Sequence, residues 1–247
     1  MVLKELMKKL EKEKLHFTLI DPDKQSIEKA IELVKKVDKA GTDAFMVGGS
    51  TSTVIIQLDE LIKKMKEITN LPIILFPSSH AGISRYADAI FFMSLLNSRN
   101  TGPLIEEQLK GAPLIKNYNL EPIPMGYLMF ESGNLCTSQF VSDAKLIPNN
   151  KPEIAVAYAL ATKYFGMKFV YLEAGSGAKE TISNEIISAI KKEVDIPIIV
   201  GGGIRDRETA REKLQAGADI IVTGTINERD QNKMIEIIKE IKNYTKI

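Results

Sequence analysis

Three glycine-bearing stretches carry the first chemical signal in this sequence of 247 residues. Gly201, Gly202 and Gly203 follow the apolar run Ile198 to Val200. Gly224-Thr225 follows the run Asp219 to Thr223, and Ala174-Gly175-Ser176-Gly177 follows Phe169 to Glu173. Glycines directly after a strand let backbone N–H groups close on an anion, because no Cβ stands between them. One such turn is ordinary chain reversal. Three of them, each after a buried-type strand, suit a single phosphate on a small polyol. Glu173 is the one acid in this set. At a strand end it can hydrogen-bond a hydroxyl or act as a general base. A structural ion pair is the alternative, and the uncharged neighbours of Glu173 favour the chemical role.

A second set lies early in the chain. Asp21 and Asp23 end the first apolar run, and Ser50 follows Gly48-Gly49 after the second. Carboxylate and hydroxyl oxygens suit a hard cation. Mg²⁺ takes one or two carboxylates, keeps water, and bridges to substrate phosphates. Asp21-Pro22-Asp23 is equally well explained as turn chemistry. His16 and His80 have no His, Cys or carboxylate neighbour at zinc spacing, so neither is assigned to a metal.

The elements that must position these groups follow a repeating pattern. Apolar runs at Leu15 to Ile20, Asp43 to Gly49, Pro72 to Phe76, Asp88 to Met93, Pro122 to Phe130, Phe169 to Glu173, Pro197 to Val200 and Asp219 to Thr223 read as strands. Amphipathic stretches separate most of them. Ser26 is placed to cap the helix that Gly41 ends. A further helix opens at Ser50-Thr51-Ser52, with Val54, Ile55, Leu58, Ile62 and Met65 on one side. The opening segment places Leu3, Leu6, Met7 and Leu10 at helical spacing. Between Pro77 and Ala87 a full crossover helix does not fit. A helix is expected around Pro103 to Lys110, and an irregular loop from Phe130 to Pro152, of a length that is usually functional or mobile. Eight strands alternating with about seven helices, in a chain close to the roughly 250 residues of one barrel, predict a single α/β domain over 1–247. This is a TIM-type (β/α)₈ barrel with the third helix shortened or replaced. An open doubly wound sheet would carry its glycine signature after the first strand.

Composition narrows the function. The 33 Lys and Arg residues balance 32 Asp and Glu, a net charge of +1. That argues against nucleic acid or an anionic membrane surface as partner. The single cysteine, Cys136, forms no internal disulfide, and the charged N-terminal segment lacks an apolar signal core, so a cytoplasmic protein is expected. No apolar run approaches the ~20 residues of a membrane span. From the residues alone a phosphosugar isomerase or lyase, an FMN-binding barrel and a non-catalytic phosphate-ligand barrel share the same loops.

The motifs HFTLIDPDK, DAFMVGGST, YADAIFFMSLLNS, YLEAGSGA, IIVGGGIR and ADIIVTGT occur in this order. Together they resemble the geranylgeranylglyceryl phosphate synthase family, including its bacterial heptaprenyl relatives, from about Leu15 to Ile226. The resemblance implies a TIM-like barrel that transfers a geranylgeranyl (C20) group from its diphosphate to the C3 hydroxyl of sn-glycerol 1-phosphate. That forms the first ether bond of archaeal-type membrane lipids. Carried onto matching positions, it implies Mg²⁺ at Asp21 and Ser50. It implies sn-glycerol 1-phosphate at Tyr171, Leu172, Glu173, Ala174, Gly175, Ser176 and Gly177, with Gly202, Gly203, Gly224 and Thr225. Glu173 is then the general base. The VGGS stretch and the long fifth-strand loop resemble the second of the family's two groups, which implies a homo-oligomer, hexamer or dimer. The prenyl diphosphate would run along Pro77 to Ala87, the FFMSLL segment and the fifth strand. The sequence has no Trp, so any tryptophan that relatives use in the groove or interface is absent.

Overall fold

Alternation along each strand decides which residues face inward, since successive side chains point to opposite faces. On β1 (Leu15–Ile20) Leu15, Phe17 and Leu19 turn to a central cluster, which they share with Ala44 and Met46 of β2 (Ala44–Val47) and Ile74 of β3 (Ile73–Leu75). β4 (Ala89–Leu95), β5 (Glu121–Met129), β6 (Phe169–Glu173), β7 (Ile198–Gly201) and β8 (Ile220–Thr223) add Phe91, Met125, Tyr171, Ile199 and Val222 to it. All eight strands are parallel, and β8 pairs with β1, so the sheet closes into a barrel around that cluster. The computed structural model describes residues 1–49, 55–224 and 230–244.

The alternate residues face an outer layer of helices. α2 (Ile27–Ala40) and α3 (Ile55–Lys66) bury Leu33, Val37, Leu58 and Ile62 against Ile20, Phe45 and Ile73. α6 (Pro152–Tyr164), α7 (Asn184–Glu193) and α8 (Arg207–Ala216) do the same against Leu128, Leu172 and Val200. The final helix, α9 (Gln231–Lys242), contributes Ile237 and Ile241 to that second cluster. Ser26 accepts the Lys29 N–H at the start of α2, and Gly41 ends it in the left-handed region, as the sequence predicts.

α1 (Val2–Leu10) is a plug. Val2 and Leu6 join the central cluster beside Leu15, at the amino end of the barrel. The Glu121 carboxylate, at the first residue of β5, accepts the Val2 and Leu3 N–H groups at 2.5 and 3.1 Å. These are N–H groups the helix cannot satisfy itself, and a carboxylate suits that positive end. Met7, expected on the apolar face, is exposed instead.

One expectation holds and three change. Between β3 and β4 there is only a single 3₁₀ turn, His80–Gly82, as predicted. The helix expected around Pro103 to Lys110 runs further. A π-turn at Gly102–Glu106 leads into α4 (Glu107–Tyr118), which continues through Pro113. The stretch from Phe130 to Pro152 is not irregular throughout. It contains α5 (Thr137–Val141), and bridges join Phe130 to Ile147 and Ser98 to Ala144. Ile55 at the start of α3 is exposed, whereas Leu58, Ile62 and Met65 are buried as read. The expected opening of that helix, Ser50 to Val54, lies outside the described residues.

Candidate active site

A cleft of about 450 Å³ opens at the carboxyl ends of the strands. Its lining includes Asp21, Tyr171, Glu173, Gly175, Ser176, Gly177, Gly202, Gly203 and Gly224, so both sets of sequence candidates reach one site. Leu172 and Ala174 do not: they alternate away from the mouth and pack with the outer cluster. Any contribution they make to a ligand is through the backbone. Ser50 and Thr225 lie outside the described residues.

Glu173 is the last residue of β6 and shares the inward parity of Tyr171. It is 8% exposed. The Gly175 N–H donates to its Oε1 at 2.6 Å, and the Tyr171 hydroxyl donates to the same carboxylate. Burial raises the pKa of Glu173 above its usual value, and these two hydrogen bonds only partly oppose that. A carboxylate with a raised pKa is a stronger base. Glu173 has no cation beside it among the described residues, so the structural ion pair is excluded there.

The glycine turns wrap closely around this acid. Gly202 and Gly203 both have positive φ, +84° and +73°. A Cβ on Gly202 would lie 2.7 Å from the Gly175 nitrogen and 2.8 Å from Glu173 Oε1. The β6 and β7 loops therefore touch, and only a glycine at 202 allows it. The result is a concave rim of backbone beside a carboxylate, suited to a phosphate and a hydroxyl respectively.

On the opposite side Asp21 follows β1. Its Oδ1 accepts the Asp23 N–H at 3.1 Å, and its Oδ2 lies 3.1 Å from Lys24 Nζ. A Cβ built on Gly49 would come within 2.6 Å of Asp21 Oδ1 and 3.2 Å of Asp23 Oδ2. Two carboxylates thus flank a space that a side chain at 49 would fill. No group of three or more His, Cys, Asp or Glu able to hold a metal occurs among the described residues. Two carboxylates still match Mg²⁺, which completes its shell with water and phosphate oxygens.

Below Glu173 the cleft is aromatic. Tyr127 and Tyr171 lie 5.2 Å apart, and Phe76 lies 5.5 and 5.6 Å from them. Burial holds both tyrosine hydroxyls protonated, helped by the nearby Glu173 charge. Tyr127 was not among the sequence candidates; its inward parity on β5 was the available signal. From these rings the cleft runs outward where the third helix is missing, past Ile83, Ile90, Phe92, Gly111 and Ile115. His80 and Glu107 close one side through a 2.7 Å contact, and Lys110 and His80 hold the Glu107 carboxyl down at about 2. His80 therefore does have a carboxylate neighbour, supplied by α4 and invisible to local spacing. Among the described residues no helix is long and apolar enough to cross a membrane.

The sequence profile of the PcrB family matches residues 8–242. The geranylgeranylglyceryl phosphate synthase of Thermococcus kodakarensis is 57% identical over 221 residues, covering 90% of this chain and 87% of that relative. The Pyrococcus horikoshii protein of the same name is 50% identical over 243 residues, covering 96% and 95%. The crystal structure of (S)-3-O-geranylgeranylglyceryl phosphate synthase from Thermoplasma acidophilum, in complex with its substrate sn-glycerol-1-phosphate, has a TM-score of 0.94 to this fold. Its sequence is 42% identical, and the match covers 98% of this chain and 99% of that one.

Proposed function

The chain belongs to the PcrB family, and from that premise we propose that it transfers a geranylgeranyl group from its diphosphate to the C3 hydroxyl of sn-glycerol 1-phosphate. One observation carries the reading. A single cleft joins a glycine-rich rim and a buried carboxylate to an apolar channel through the gap left by the third helix. A phosphorylated polyol fits the first end and a prenyl chain the second.

The backbone of Ser176 and Gly177 and of Gly202 and Gly203 holds the phosphate. Glu173 accepts a hydrogen bond from the C3 hydroxyl and takes its proton as that oxygen attacks. Tyr171 and the Gly175 N–H keep the carboxylate aimed. The bond from the first prenyl carbon to the diphosphate oxygen breaks, and the bond from that carbon to the C3 oxygen forms. Positive charge develops on the allylic carbon, and the faces of Phe76, Tyr127 and Tyr171 are suited to stabilise it. The apolar lining keeps water from capturing it. A primary alcohol is a poor nucleophile at neutral pH, so orientation supplies much of the rate. Asp21, with Asp23 beside it, would hold Mg²⁺, whose chemistry is to neutralise the diphosphate leaving group. A phosphosugar isomerase of this fold would place an acid at the end of β5, where Met129 and Phe130 are buried instead. A homo-oligomer is supported by the exposed aromatic pair Tyr164 and Phe165 at the end of α6, and light scattering tests it.

The deciding experiment is turnover of labelled sn-glycerol 1-phosphate with geranylgeranyl diphosphate and Mg²⁺, beside the sn-3 enantiomer, shorter and longer prenyl diphosphates, and EDTA. Metal-dependent ether formation on the sn-1 substrate is expected. No transfer to either enantiomer overturns the assignment.

A further inference from the structure

The proposed reaction brings two anionic groups together, a phosphate ester and a leaving diphosphate, with only a bond-forming distance between their carriers. Like charges that close repel unless something positive lies between them. Among the described residues, the Lys and Arg side chains lining the cleft are Lys24 and Arg205. Arg205 donates to the Ala178 carbonyl and so ties the β7 loop to the β6 loop.

Lys24 is placed differently. Its Nζ lies 3.1 Å from Asp21 Oδ2 and 3.3 Å from Ser176 Oγ. An ordinary ion pair between near neighbours explains the first contact. It does not explain the second, to a residue 152 positions away on the phosphate rim. The backbone turn Lys24 N–H to Asp21 C=O at 3.2 Å fixes the base of the side chain. The stem then crosses the barrel mouth from the β1 loop to the β6 loop, between the two regions where the anionic groups would sit.

We propose that Lys24 is a positioning residue whose ammonium serves as the shared counter-ion of both anionic groups, coupling their binding. This rests on the prenyl-transfer reading above. With a cation held by Asp21, the Lys24 ammonium would be left to the Ser176 side and the incoming phosphates. In that state Lys24 lies between them and offsets their repulsion.

Coupling is measurable without turnover, because each ligand must change the affinity of the other by the same factor. Titrate sn-glycerol 1-phosphate calorimetrically into wild type, Lys24→Met, Lys24→Gln and Lys24→Arg. Do so with and without saturating inorganic pyrophosphate and Mg²⁺, and again with pyrophosphate in EDTA. Thermal melts confirm that each variant is folded, and the solvent-facing stem makes two neutral replacements sufficient. Wild type is expected to bind glycerol phosphate at least as well with pyrophosphate present. In the Met and Gln variants, pyrophosphate should weaken glycerol phosphate binding by about tenfold, and Arg should restore most of it. An unchanged ratio in Met and Gln overturns the proposal. So does equal weakening with and without pyrophosphate, which would make Lys24 a ligand of one group only. Wild type that binds glycerol phosphate but not pyrophosphate sinks the prenyl-transfer reading itself.

Discussion

Gly202→Ala tests the idea that the β6 and β7 loops make one rigid cradle. The added Cβ meets the Gly175 nitrogen at 2.7 Å, Glu173 Oε1 at 2.8 Å and the Ala174 Cβ at 2.9 Å. Reaching ordinary contact requires an opening of roughly 0.7 Å, and two of the three neighbours belong to the site itself. A left-handed φ at a non-glycine residue adds about 1–2 kcal/mol. Two control substitutions separate these effects. Gly177→Ala has φ +72° on the same rim but nothing within 4 Å of its Cβ. Gly166→Ala has φ +75° with equally open space, in the loop between α6 and β6. Gly177→Ala and Gly166→Ala should each lose about 1–2 kcal/mol of stability, read as a drop of a few degrees in Tm, and Gly202→Ala at least as much. Only Gly202→Ala should also lose about 100-fold in kcat/KM for sn-glycerol 1-phosphate, because a displacement approaching 1 Å at reacting groups has about that effect. Initial rates and calorimetric titration on the three variants decide it. If Gly202→Ala stays within fivefold of Gly177→Ala, the contact between the loops is not what shapes the cradle.

Other expectations follow from the same geometry. Glu173→Gln should lower kcat by about 10²- to 10⁴-fold, as loss of a general base does. It should also stabilise the fold. Because the folded-state pKa of Glu173 is raised, its ionisation destabilises the protein above pH 4.5. The Tm of the Gln variant should therefore exceed that of wild type at pH 8, with the gap closing as pH falls towards 4.5. His16 lies buried between Thr42 and Thr223, and desolvation lowers its pKa to about 3. Its folded-state pKa is depressed, so stability present above pH 6.5 should be lost as pH falls from 6.5 towards 3. The loss is at most about 5 kcal/mol, and urea titrations should show His16→Gln flattening that slope. Asp21→Ala should abolish turnover at any Mg²⁺ concentration while leaving the melting curve cooperative; activity retained at saturating Mg²⁺ would remove Asp21 from the metal site.

The barrel was legible because its strands are short apolar runs that end in Asp-Pro, Gly-Gly or Glu-Ala, and the same boundaries located Glu173 and Asp21. Parity separated Tyr171 from Leu172 only once the strand limits were known. The motif stretch carried both, although one faces the cleft and the other the helices. α4 was underestimated because Pro113 reads as a stop. In the fold, Pro113 removes one N–H bond to the carbonyl of Leu109, whose exposed position leaves that group to solvent. α5 escaped notice because long-range contacts hold it. Gln139 Nε2 donates to the Ala174 carbonyl at 3.4 Å, and the Ser98 hydroxyl donates to the Ser142 carbonyl at 2.7 Å. The pairing of Lys24 with Ser176 also required the closed barrel, since nothing local joins those two loops.

The plug helix sets a condition on biosynthesis. α1 leaves the ribosome early, but the carboxylate that receives its first N–H lies 119 residues later. The ring it stoppers closes only when β8 pairs with β1. Until then Val2 and Leu6 have no permanent partner, and closing so long a loop is slow. The nascent chain must therefore keep an amphipathic segment waiting through most of translation, exposed to chaperones and to other unfinished chains. A variant that weakens the Glu121 anchor would show its defect first as a lower yield of soluble protein, before any change in the chemistry at the far end of the barrel.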